Sequence, residues 1–311
     1  MQFKILALLG SILGFAQNMV GAILDLSGAN VYYGKAVREG IELALDEIKD
    51  DTVSVVYEDH RLNANEAVKA FQSIILKKPK AVITMSSMSS VPINPLANEH
   101  RLIQLAVLSW ATNYSTPNDF SFRLDITTDT AAKEVCDFFQ RKHFSKVVLL
   151  SIKTSFGTSM KESVKKICQT RIVSDFDYLE SDRDINSLAL KAIRNSPDLV
   201  YVIDHRPSMI ADFLKRLRTL NYSGPFYSGT LGQDELFIKT AGDFAEGSYY
   251  IYVASNEQKI FDIYEKRYNK IPLNPYLVSL GYESIKIIHS AFKSYGDVEC
   301  ARDKLYTSEF D

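Results

Sequence analysis

The sequence of 311 residues is short of the residues that most often mark chemistry. It has three cysteines, one tryptophan and five histidines. Cys136, Cys168 and Cys300 are widely spaced and odd in number, which fits neither a disulfide framework nor a metal pattern. Cys136 and Cys168 fall on apolar helix faces and read as buried structural thiols. His60, His100, His143, His205 and His289 never stand at metal-ligand spacing, and there is no HExxH. A GxSxG elbow, a Walker loop and a GxGxxG are all missing after the predicted strands, so no cofactor is expected. The net charge of -2 gives no electrostatic reason to expect nucleic acid or an anionic membrane surface as partner.

The one apolar run near the N-terminus, Ile5 to Phe15, is too short to span a bilayer. It follows Lys4 and precedes the small residues of Gly14-Phe15-Ala16, which reads as a signal peptide cleaved after Ala16. Export to the periplasm is therefore expected. The absence of a cysteine at the cleavage point argues against a lipid anchor.

What is present is an alternation of strand and helix. Val20 to Leu24 has strand length. A loop of small residues, Ser27 to Asn30, and Tyr32-Tyr33-Gly34 follow. Val37, Ile41, Ala44, Leu45 and Ile48 then recur at helical spacing. The pattern repeats: strand Val53 to Tyr57, a helix capped by Asn63 with Glu66 three residues on, and strand Ala81 to Ile83. A serine loop, Ser86 to Ser90, leads to Pro92 in the first turn of the next helix, and strand Ile103 to Leu108 closes the series. A second series runs from Thr128. It has strands at Val147 to Leu150, Ile172 to Phe176, Leu199 to Ile203, Phe226-Tyr227 and Gly247 to Val253, with a loop at Thr154 to Gly157 before the helix Met160 to Cys168. Helices at Phe261 to Tyr268 and Tyr276 to Tyr295 have no strands of their own and are expected to return to the first series. The fold class is α/β: two Rossmann-like, doubly wound parallel-sheet lobes joined by crossing hinge strands. In such lobes ligands sit over the carboxyl ends of the strands, and paired lobes can close over them like jaws.

The segments SGANVYYGKAVREGIELALDEI, VVYEDHRLNANEAVKAF, SSMSSVPINPLA, WATN and FRLDITTD, with FGTSM at Phe156 and GYESIKIIHSAF at Gly281, resemble the leucine/isoleucine/valine-binding family. These are type I periplasmic solute-binding proteins of ABC transporters. The resemblance spans nearly the whole mature chain. It implies a signal peptide over 1–16, lobe one over 17–119 and 254–311, and lobe two over 120–253. The chain stops at Asp311, where the family continues with further strands and a third crossing.

The resemblance also implies roles for particular residues. Tyr33 guards the cleft mouth, Ser87 and Ser89 hold a ligand carboxylate, and Trp110 and Thr112 lie in the adjacent loop. Phe156 and His205 occupy aromatic contact positions in lobe two. Thr230 stands about where amino-acid binders place an acid for the α-ammonium, which argues against a simple aliphatic α-amino acid unless Asp204 or Asp234 substitutes. Trp110 either narrows the pocket and offers a flat face or simply packs between loop and helix. The serines could equally cap the helix. The function expected is capture of a small polar molecule (amino-acid-like, an amide or a small organic acid) by a monomer, and its delivery to a membrane ABC permease. Its competitors are a ligand-sensing receptor or regulatory subunit on the same fold and an exported α/β enzyme.

Overall fold

The computed structural model describes residues 18–28, 30–49, 52–168, 172–253, 257–294 and 296–307. The expected signal peptide lies outside the described residues. The first series runs β1 (Asn18–Leu24), α1 (Val31–Ile48), β2 (Val53–Asp59), α2 (Ala64–Ile75), β3 (Ala81–Met85), α3 (Ser86–Glu99), β4 (Ile103–Val107) and β5 (Ser121–Leu124). The second runs α4 (Thr128–Arg141), β6 (Val147–Ile152), α5 (Ser155–Ile167), β7 (Ile172–Tyr178), α6 (Ile185–Ile193), β8 (Leu199–Ile203), α7 (Pro207–Thr219), β9 (Phe226–Tyr227), α8 (Glu235–Ala241) and β10 (Ser248–Tyr249). Three helices follow: α9 (Glu257–Tyr268), α10 (Pro275–Ser294) and α11 (Val298–Thr307).

Each series forms one five-stranded sheet, in the orders β2-β1-β3-β4-β5 and β10-β9-β8-β6-β7. All pairings are parallel. Read from the first strand of each lobe, both sheets have the same winding order, 2-1-3-4-5. Their switch points therefore fall between β1 and β3 and between β6 and β8, where loops diverge and leave a crevice at the strand ends. Central strands such as Ala81–Met85 and Leu199–Ile203 are buried throughout, as parallel strands covered on both faces must be.

The sequence placed several boundaries differently. The expected serine loop is the start of α3. Ser86 already belongs to the helix, and Pro92 and Pro95 lie inside it. Ser90 Oγ lies 3.0 Å from Thr84 Oγ1, and Gln104 Nε2 donates to both Thr84 Oγ1 and the Ser90 carbonyl at 3.0 Å. Likewise α5 begins at Ser155, capped by the Thr154 hydroxyl, so Phe156 stands in a helical turn rather than a loop. The strand expected over Gly247 to Val253 shrinks to Ser248–Tyr249. Asn63 does cap α2, its Oδ1 accepting from the N–H groups of Asn65 and Glu66.

The reading of Cys136 and Cys168 as thiols is overturned: they are joined in a disulfide. α4 and α5 lie side by side, and their buried cysteines come within 5.6 Å between Cα atoms, inside the range a disulfide needs. The spacing of 32 residues carried no such information. Cys300 is free and exposed.

The last helices return to the first lobe. Ile260, Tyr264, Leu277, Val278, Tyr282, Ile285 and Ile288 share one buried core with Val37, Ile41 and Ala44 of α1. Two glycines allow it. A Cβ on Gly40 would stand 2.0 Å from the Val278 carbonyl, and one on Gly281 would stand 2.0 Å from the Val37 carbonyl. The helices meet backbone to backbone.

Gly281→Ala should therefore cost about 3 kcal/mol, because neither backbone can yield without parting α1 from α10; urea unfolding measures it. Thiol titration of the native protein should find one reactive group, Cys300. Opening the Cys136–Cys168 bond should cost about 3.7 kcal/mol for a loop of this length, read as a lowered melting temperature under reductant.

Candidate ligand-binding cleft

A cavity of about 720 Å³ lies between the two switch points. From lobe one it takes the ends of β1, β3 and β4, with Asp25, Asn30, Tyr32, Tyr33, Ser86, Ser87 and Trp110. From lobe two it takes Phe156 on α5, Asp204 and His205 after β8, and Thr230 and Asp234 ahead of α8. The N-terminal end of α10, around Tyr276, closes one side.

Six of the eight residues expected from the sequence line this cavity: Tyr33, Ser87, Trp110, Phe156, His205 and Thr230. Ser89 and Thr112 are not brought there. Ser89 is buried in α3, where its hydroxyl donates to the Met85 carbonyl at 2.5 Å. Thr112 faces α5, where its backbone N–H donates to Ser159 Oγ at 3.1 Å, and it lines a separate hydroxyl-rich groove.

The lobe-one side carries donors. Ser86 opens α3 with a φ of +68°, a left-handed conformation that is strained for serine. Its Oγ is buried with no hydrogen-bond partner among the described residues. Ser87 Oγ accepts from the backbone N–H groups of Trp110 and Ala111 at 3.1 Å each, so its own proton is left to donate. Together with the free N–H groups of the α3 N-terminus these hydroxyls suit an anionic group. Trp110 is 6% exposed and meets Phe156 edge to face across the cavity, with ring centroids 6.2 Å apart.

The lobes touch through apolar and polar contacts, and Trp110 is buried with Ala131, Val135 and Met160 of lobe two. The hydroxyls of Tyr32 and Tyr33 both donate to Asp234 Oδ2, at 2.7 and 2.6 Å. Asn30 Nδ2 donates to the His205 carbonyl at 2.7 Å. Burial drives the Tyr33 hydroxyl well above the ordinary tyrosine range, and the neighbouring Tyr32 and Asp234 add to it, so it remains a donor. Tyr276 donates to Asp125 Oδ1 at 2.5 Å, which fixes the end of α10 to the first crossing segment; burial raises the Asp125 carboxyl.

The acids of the cleft differ in how they are served. Asp204 Oδ1 accepts from the backbone N–H groups of His205 and Arg206 and from Arg206 Nε, and its Oδ2 accepts from Tyr178 at 2.5 Å and from Arg206 at 2.7 Å. Asp234 receives the two tyrosines and also caps α8 through the Leu236 N–H. Asp25, just past the end of β1, is 1% exposed, and its Oδ1 has no hydrogen-bond partner among the described residues. Burial pushes it up to about 6, with Asp59 adding and His205 across the cleft opposing. Behind it His60 is wholly buried and pushed down to about 4 by burial, against the pull of Asp59. Sequence reading missed Asp25, Asn30 and Ser86 as cleft residues. For Asp25 and Asn30 the available signal was position at the end of a predicted strand.

Two matched parallel sheets whose switch points face one another across an aromatic cavity define a two-lobed binding protein with the type I periplasmic fold. The chain belongs to the periplasmic binding protein family, which matches residues 19–311. Members of this family bind solutes and are not enzymes. Among solved structures it is similar to the leucine-binding protein LivK of Thermotoga maritima, with 22% identity, 92% of this chain and 86% of that chain covered, and a TM-score of 0.82. The branched-chain amino acid transporter substrate-binding protein LivJ of Streptococcus pneumoniae, in complex with isoleucine, gives 20%, 94%, 89% and 0.81. An ABC-transporter solute-binding protein of R. palustris in complex with benzoate gives 20%, 94%, 86% and 0.79. No curated protein matches the chain. Among the described residues no helix is long and apolar enough to cross a membrane.

The two buried groups behind β1 should nearly cancel in acid. His60 is depressed from 6.5 to about 4, so the unfolded chain takes the proton first and stability falls as pH drops through that window. Asp25 is raised from 3.8 to about 6, so the folded chain keeps a proton that the unfolded chain releases, and stability rises as pH drops through that window. Asp25→Asn leaves His60 alone. Urea unfolding at a series of pH values should then show the variant losing about 1.4 kcal/mol per pH unit more than the parent as acid is added.

Proposed function

We propose that this protein captures a small molecule bearing an anionic group in the cleft between its lobes and hands it to a membrane ABC permease from the periplasm. In this reading the carboxylate of an amino-acid-like ligand or small organic acid sits at the N-terminus of α3. There it receives Ser86, Ser87 and the free backbone N–H groups. Trp110, Phe156 and Tyr33 flank its apolar part, and His205 and Thr230 face it from lobe two. The protein acts as an exported monomer whose residues 1–16 are removed. It performs no reaction; binding shifts an equilibrium from open to closed lobes, and the permease reads the closed form.

The observation that carries the reading is the cavity itself. It joins the strand ends of both lobes, and the Tyr32, Tyr33 and Asn30 contacts that shut it can exist only with the lobes together. Its volume of about 720 Å³ falls in the range of small-molecule sites. The isoleucine and benzoate complexes of its structural neighbours each hold a small carboxylate, which supports the same class here.

Melting the protein with a panel of amino acids, amides and aromatic or aliphatic carboxylates tests this. A true ligand at a hundredfold excess over its Kd should stabilise by about 2.7 kcal/mol, a rise of roughly 5 °C or more. The emission of Trp110, the sole tryptophan, should change saturably over the same concentrations. Conversion of any hit to product would overturn the reading.

A further inference from the structure

We propose that the solute of this cleft is an amphipathic carboxylate of medium chain length: its head sits at the N-terminus of α3, and an unbranched apolar arm runs along the start of α10 and leaves through an apolar mouth that both lobes share. This rests on the solute-binding reading above and names the solute class within it.

The buried polar groups of the cavity gather at the strand ends, with Ser87 in lobe one and Asp204 in lobe two. The wall made by the start of α10 is different. Leu273, Asn274, Pro275, Tyr276 and Leu277 are consecutive, and every one of them lines the cavity. Their exposure falls along the run: Leu273 is 91% exposed, the next three are half-buried, and Leu277 is 2% exposed. A stretch of chain that passes from solvent to core while lining one cavity traces the path between its interior and the outside. The polar atoms of this run are largely spent. Asn274 Oδ1 accepts from the Leu277 N–H at 3.1 Å, Pro275 has no N–H, and the Tyr276 hydroxyl donates to Asp125 at 2.5 Å. What the run offers a solute is mostly carbon.

Two more exposed apolar side chains line the same cavity: Leu236 at the start of α8, 37% exposed, and Tyr252 after β10, 52% exposed. A side chain that lines a cavity and is also exposed stands at its opening. Single exposed apolar side chains are ordinary on a protein surface. Here three reach one opening from three separate segments, Leu236 in lobe two and Leu273 just ahead of α10 among them. Such a mouth is poorly served by water and well served by a hydrocarbon chain. The exposed charged groups that line the cavity among the described residues are Glu235 and Lys239, and they pair with each other at 2.6 Å. Neither is left to hold a second charge, so the far end of the solute is apolar. An arm lying between Leu236 and Leu273 touches both lobes and thereby favours the closed form.

Isothermal titration of a straight-chain series, butanoate, hexanoate, octanoate and decanoate, tests the assignment. Affinity in the parent should rise by up to about fourfold per added methylene, at a single site, with hexanoate displacing decanoate. Leu273→Ser and Leu236→Ser, both at exposed positions where folding is little affected, should leave butanoate within about twofold and weaken decanoate by about fivefold or more. Melting curves confirm that each variant is folded. Affinity that stops rising at hexanoate overturns the assignment while leaving the solute reading intact. So does decanoate binding that both variants leave unchanged, or that spreads over several sites from which hexanoate cannot displace it. A parent that binds no member of the series but does bind another solute of the wider panel also overturns only the assignment. A parent that binds nothing in either set overturns the solute reading, and the amphipathic class with it.

Discussion

The backbone contact between α1 and α10 is the constraint on which the rest of the molecule depends. The sheets alone would make two separable α/β units. Because Gly40 and Gly281 let the two helices touch, the chain must leave lobe one after β5, build lobe two, and cross back to finish the core it began. Large side chains from both ends of the sequence then fill one interior: Tyr282 and Tyr264 are almost wholly buried beside residues of α1. The same return carries the N-terminal end of α10 to the cavity, where Tyr276 bonds Asp125 on the crossing segment. The same packing contact therefore holds one wall of the cleft.

Closure combines the burial of Trp110 against lobe two with a few hydrogen bonds. Asp234 accepts two tyrosine hydroxyls from the other lobe, and Asn30 adds one hydrogen bond to the His205 carbonyl. Each such bond is worth about 1–3 kcal/mol net, since water serves the same groups when the lobes part. That is the scale a binding protein needs. A closing force much larger would shut the lobes with or without solute, and one much smaller would ask the ligand to supply the whole difference between states.

Much of this was legible in the sequence, and the reasons for what was not are physical. Strands such as Leu199–Ile203 and Phe226–Tyr227 are short apolar runs, and strand and helix alternate with caps like Asn63, so the alternation could be read directly, whereas the short edge strand Ser121–Leu124 was not. Proline misled at α3. A proline at a predicted first turn marks a helix start, yet here the helix starts six residues earlier at a strained Ser86, a conformation that only the assembled strand ends can impose. The disulfide escaped because two cysteines on separate helices pair by the packing of α4 on α5, a tertiary fact. Among the cleft residues, those matching a family motif could be placed to within a turn. Ser89 shows the limit of that method. In a helix, two serines two positions apart face different ways, so if Ser87 reaches the cavity Ser89 turns to its own backbone.

The two lobes share a winding order, and each leaves some of its polar chemistry open at the cleft. In lobe two, Asp204 is closed off by Arg206 and Tyr178, and Asp234 is occupied by its helix and the opposing tyrosines. In lobe one, Ser86 and Asp25 each keep a buried oxygen without a hydrogen-bond partner among the described residues, and in lobe two both ring nitrogens of His205 are in the same state. Unserved groups at a site bind; served groups do not. The open groups of lobe one sit at neighbouring strand ends with fixed spacing, and that rigidity spares a ligand the entropy of ordering its own contacts. From lobe two, Phe156 and Asp234 close the cavity against Trp110 and the two tyrosines.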